Sequence, residues 1–120
     1  MRVFKNRAFN HWAKRVGLTD ESLCEAVAEI EKGLVDTYLG SGLVKKRIAL
    51  DRGKRGGART LLAFKKGQCA FFVYGFSKAS RDNISPEELV GLRRLVRCYF
   101  ELSVGELRDA IKAGALSEIC

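Results

Sequence analysis

The sequence predicts an α+β fold, a small antiparallel β-sheet flanked by N-terminal and C-terminal helices. Three observations carry that expectation. Apolar residues recur at helical spacing at both ends of the chain, in 6–34 and again in 86–113. Between them, residues 44–50, 60–64 and 69–76 form three runs with strand-like composition, punctuated by glycine. The helical stretches also carry start signals that the central segment lacks: Thr19-Asp20, Ser85-Pro86 and Ser103-x-x-Glu106.

The elements follow in order. Residues 1–4 are short and apolar and predict an edge strand. Residues 6–15 predict a helix with Phe9, Trp12, Ala13 and Val16 on one face, stopped at Gly17, which places Trp12 in the core. Thr19 or Asp20 caps a second helix, where Asp20 and Glu21 meet the positive end of the helix dipole. Its apolar stripe is Leu23, Val27, Ile30 and Leu34, and Gly33 weakens its end. Residues 38–42 read as a turn. The three strands follow, with Gly67-Gln68 closing a tight hairpin between the second and third. The third, reading CAFFVYGF, is apolar on both faces, as for a strand covered on both sides. Ser85 caps a third helix with Pro86 at its first position, burying Leu89, Leu92, Val96 and Tyr99. Ser103 and Glu106 form a capping box for a last helix through about Ala113.

A chain of 120 residues is long enough for a substantial core and predicts a single domain over 1–120. Hydrophobic residues make up 47% and charged residues 30%, the balance of a soluble globular protein. No apolar run approaches a membrane span. The opening MRVFKNRAFNHW interleaves apolar residues with charge, unlike a signal peptide, so the expected location is cytoplasmic. The four cysteines are widely separated and form no C-x-x-C pair, and the single histidine, His11, completes no ligand cluster. No metal and no cofactor are expected. Cys24 and Cys98 read as small core residues and Cys120 as an exposed thiol.

The charge distribution singles out the middle of the chain. Residues 19–36 hold six acids and one base, whereas 43–82 hold eleven basic residues against two acids, more than the whole excess of +8. Within the latter, the stretch LVKKRIALDRGKRGGAR carries Lys45, Lys46, Arg47, Arg52, Lys54, Arg55 and Arg59 against Asp51 alone. A basic loop is often only a solvated hairpin. Here the charge is concentrated on strands and their turns beside Tyr74 and Phe76, which points to a polyanion, and specifically to nucleic acid.

That composition also limits the chemistry. His11 stands alone, no carboxylate pair lies in the basic segment, and no phosphate-binding loop motif is present. What remains is a set of arginines and lysines suited to RNA cleavage by the ribose 2′-OH. Arginine neutralises the crowded phosphate with bidentate contacts, and lysine among like charges can pass a proton. Such a set is a weak catalyst unless the substrate is held in line for attack, so an external scaffold for the RNA is expected.

The run Lys45-Lys46-Arg47-Ile48-Ala49, the loop Gly53-Lys54-Arg55-Gly56-Gly57-Ala58-Arg59, the strand Phe71 through Phe76 and the ending Ser77-Lys78…Arg81-Asp82-Asn83 together resemble the RelE/HigB-type toxins of bacterial type II toxin–antitoxin systems, in the RelE/ParE superfamily. The resemblance spans about residues 43–92, and the first 42 fit more loosely. It implies a compact microbial-RNase-like (RelE-like) fold and metal-independent cleavage of mRNA in the ribosomal A site. It also implies a cognate antitoxin, often a helix-turn-helix protein, that neutralises the toxin and represses the operon. Carried over by position, the catalytic residues are Lys45, Arg47, Arg59 and Lys78. The RNA-binding residues are Lys46, Arg52, Lys54, Arg55, Tyr74, Phe76 and Arg81. The chain departs from the family's usual K-N-E-R after the aromatic strand, reading Lys78-Ala79-Ser80-Arg81 instead, and a late tyrosine has no clear counterpart. The rival reading is therefore a non-catalytic relative that binds a protein such as gyrase, or an inactivated toxin kept for antitoxin binding.

Overall fold

The computed structural model describes residues 1–50 and 57–120. The elements run β1 (Arg2–Asn6), α1 (Arg7–Val16), α2 (Asp20–Glu31), β2 (Thr37–Tyr38), β3 (Leu43–Ile48), β4 (Ala58–Lys65), β5 (Cys69–Ser77), α3 (Pro86–Phe100), α4 (Val104–Lys112) and β6 (Leu116–Ile119). This is the expected α+β architecture, with a six-stranded sheet ordered β2-β3-β4-β5-β1-β6. Every neighbouring pair is antiparallel except β1 and β5, which run parallel.

Side-chain alternation along the strands sends one set of residues to each face of the sheet. Val3, Val44, Leu62 and Phe72 pack with Phe9 of α1 and with Leu23, Val27 and Ile30 of α2. Phe4, Leu43, Leu61 and Phe71 pack on the other side with Val96 of α3, and Leu107 and Ile111 of α4 lie against that cluster. Helices thus cover both faces, and Leu61, Leu62 and Phe72 are fully buried at the centre. Burying one such side chain contributes about 1.5–3 kcal/mol.

Local signals fix the helix ends. The Asn6 side chain accepts from the Phe9 N–H at 2.8 Å, and Gly17 closes α1 in the left-handed region at φ 83°. Thr19 caps α2, and Ser85 and Ser103 form reciprocal capping boxes with Glu88 and Glu106. Helix α2 ends at Glu31, earlier than its apolar stripe implies, so Leu34 lies 56% exposed.

Five further expectations are corrected. β1 is an interior strand: both of its faces are covered and β6 supplies its outer neighbour, a short partly polar strand with no local pattern to announce it. Tyr38 lies in β2, paired with Val44, rather than in a turn. Cys24 and Cys120 form a disulfide, with Cα atoms 5.8 Å apart, because β6 carries the end of the chain back to α2. Cys98 is exposed on α3, off the stripe that buries Val96. Trp12 packs against the core but is only partly buried.

Candidate nucleic-acid interface

The alternation of β3 divides its basic run between the two faces. Lys45 and Arg47 share the α3 side with Leu43, and Lys46 points to the α2 side with Val44 and Ile48. The strand register then builds two adjacent rows across the α3 side. Arg47 lies opposite Arg59, and Arg59 opposite Phe76. One step along, Lys45 lies opposite Leu61, and Leu61 opposite Tyr74. Directly opposed side chains sit about 4.5–5.5 Å apart at Cβ, so the array is one continuous patch. Two cross-strand arginines side by side repel each other, and their juxtaposition suits an anion placed between them.

The array is held in place by groups around it. The Arg47 backbone N–H donates to the Asp36 carboxylate, and the Asp36 N–H donates to the Lys45 carbonyl at 3.2 Å, which ties the outer edge of β3. Gly57 takes φ 62° at the base of the β3–β4 connection, where a Cβ would meet the Ile48 carbonyl at 2.8 Å. Arg47 and Lys78 are exposed, and Lys45 and Arg59 are half-buried. Lys78 follows β5 by one residue, at the end of the sheet that carries Arg59. Arg52, Lys54 and Arg55 lie outside the described residues.

Four of the expected RNA-binding residues are engaged otherwise. Lys46 is 8% exposed, and its Nζ donates to the Leu34 carbonyl at 3.0 Å and pairs with Glu29 at 2.9 Å, holding α2 to the sheet. Phe76 is buried, with the Arg81 guanidinium 5.7 Å from its ring centroid. Arg81 itself grips Glu88 and donates to the Tyr74 hydroxyl at 3.2 Å, while Tyr74 donates to Glu88 at 3.2 Å. The Ser85 N–H also donates to Glu88, at 2.8 Å. Together these bonds, Arg81 first and the Ser85 N–H next, lower the Glu88 carboxyl to about 2. The network clamps the segment after β5 to the start of α3, immediately beside the array.

A family model described as the RelE toxin of the RelE / RelB toxin-antitoxin system matches residues 1–119. The chain belongs to the RelE toxin family. No curated protein matches it. The family match reaches through the first 42 residues, which the motifs of the central segment left loosely fitted. The fold is accordingly RelE-like, and the protein is the toxin of a toxin–antitoxin system, with an antitoxin as its partner. Within this RelE toxin, Ala79 and Ser80 are exposed. The Ser80 hydroxyl only closes the turn, donating to the Ser77 carbonyl at 2.9 Å.

One feature of the RelE toxin's site escaped the sequence reading. Trp12 and Arg15 of α1 flank a hollow of about 380 Å³ that also touches Tyr74, Phe76 and Arg81. The available signal was Gly75, a glycine inside an apolar strand, which marks close approach of another group. A Cβ there would lie 2.1 Å from the Trp12 ring. His11, on the same helix, is exposed and does not line the hollow.

Proposed function

We propose that the protein is an mRNA interferase that cleaves mRNA held in the ribosomal A site, with Lys45, Arg47, Arg59 and Lys78 as its working residues. The observation that carries this reading is the pairing of Arg47 with Arg59 on one face, with Lys45 one step along and Lys78 at the rim. The two arginines receive the scissile phosphate and stabilise the added charge as the ribose 2′-OH attacks phosphorus. A lysine at one side takes the hydroxyl proton and one at the other returns a proton to the leaving 5′-oxygen. The products are a cyclic phosphate and a free 5′-hydroxyl, so no co-reactant is consumed.

Positioning is left to the ribosome, which fixes the RNA backbone for in-line attack. Alignment of this kind is worth as much as ~7–11 kcal/mol. Action there places the toxin in the cytoplasm, where a helix-turn-helix antitoxin would mask the basic face. Arg52, Lys54 and Arg55 belong to this reading as further phosphate contacts.

Induced expression alone should arrest translation and leave mRNA cut at ribosome-bound codons, and co-expression of the antitoxin should restore growth. Arg47→Ala and Arg59→Ala should each reduce cutting about 100-fold or more while leaving the circular dichroism spectrum unchanged. The engagement of Arg81 by Glu88 favours the rival, non-catalytic reading, since it withdraws one basic residue from RNA. Growth arrest with intact mRNA and damaged DNA would decide for that rival.

A further inference from the structure

The β1–β5 ladder ends at Lys5 opposite Phe72, where Asn6 leaves the sheet to cap α1 and its side chain donates to the Val73 carbonyl at 3.3 Å. Beyond that point β5 continues to Ser77 with β4 as its strand neighbour on the opposite side. The hollow of about 380 Å³ opens in the gap, between α1 and the segment that follows β5. Its size falls in the range of small-molecule sites, ~300–1,000 Å³. Trp12 is half-buried at its wall, its indole laid over the Gly75 backbone so closely that no side chain fits between them. Arg15, exposed in the last turn of α1, and Arg81, held by Glu88, both line it. Tyr74 and Phe76 line the hollow and belong also to the rows that contain Lys45 and Arg59 on the α3 face, so the hollow meets that array around the open edge of β5.

We propose that this hollow is a nucleobase subsite, in which a base of the RNA next to the cut seats against Trp12 and the Gly75 strand edge while Arg15 holds the neighbouring phosphate. This rests on the reading of the basic array as an RNA-cleaving face. A planar aromatic wall, a strand edge with backbone groups to offer and the Arg15 guanidinium together match the parts of a nucleotide. A purely anionic ligand would use the arginines alone and leave the indole without a role. The consequence is that α1 supplies base preference beside the cut while the sheet supplies chemistry.

The chain contains a single tryptophan, so its emission reports on this wall alone. Titration of the purified toxin with adenosine 5′-monophosphate should quench Trp12 fluorescence saturably, and ribose 5-phosphate should not. Arg15→Ala should weaken the nucleotide titration about tenfold. On ribosome-bound mRNA, Arg15→Ala should raise KM with little change in kcat and flatten the preference for the base beside the cut. Absence of quenching by adenosine 5′-monophosphate, or equal quenching by ribose 5-phosphate, would overturn the proposal. A toxin that quenches but does not cut refutes the nuclease and leaves the subsite standing. One that cuts without quenching does the reverse.

Discussion

Glu88 shows how a single carboxylate can organise the border of the site. It accepts from Arg81, Tyr74 and the Ser85 N–H at once, and its carboxyl is lowered from 4.5 to about 2. A carboxyl depressed in the folded state adds stability that is fully present above its unfolded value and is lost as pH falls through the folded one. Glu88→Gln should therefore lower Tm at pH 5 and above, with the difference from wild type shrinking as pH falls from 4.5 toward 2. A pH-independent difference, measured by circular dichroism melts, would reject this assignment. Gly75 gives a second test at the same scale. Gly75→Ala sets a methyl 2.1 Å from the Trp12 ring and should cost ~1–3 kcal/mol, largely recovered in the double variant with Trp12→Leu. Denaturant melts of the four proteins form the cycle.

Among the elements, those declared by local chemistry were legible in the sequence and those made by distant chain were not. The caps at Thr19, Ser85 and Ser103 placed α2, α3 and α4, and the Gly67 turn placed the β4–β5 hairpin. The sequence reading grouped Lys46 with Lys45, Arg47 and Arg59 in one basic run, whereas alternation along β3 turns Lys46 to the opposite face, where Glu29 and the Leu34 carbonyl hold it. β6 was invisible because Leu116–Ile119 is a strand only by virtue of β1, and with it went the disulfide that its return permits. Clipping β6 to α2 across 96 residues should have a measurable effect. Reduction, or Cys24→Ser, should destabilise the toxin by ~2–4 kcal/mol, and the variant should then melt alike with and without reductant.

Over the whole molecule, charge is separated by position on the sheet rather than spread. The end of β4 at Arg59 faces the proposed RNA path, and the end at Lys65 and Lys66 lies ~20 Å away by strand length. Lys66→Ala should thus leave ribosome-dependent cutting nearly unchanged, whereas Arg59→Ala should reduce it about 100-fold or more. Equal losses would mean that bulk charge alone matters. RNA binding by the purified toxin should fall linearly in log–log plots against salt, and Arg47→Ala should reduce the slope by roughly 1.

The parallel pairing of β1 also sets an order in time. The inner strand neighbour of β1 arrives with Cys69–Ser77 and its outer one only with Leu116–Ile119, after every other described element of the fold. Long-range pairings of this kind cannot form while the chain that supplies them is missing. A nascent chain not yet extended past Leu116 therefore lacks the outer neighbour of its first strand. Nascent chains stalled before Leu116 should remain open to protease, and release of the full chain should bring resistance.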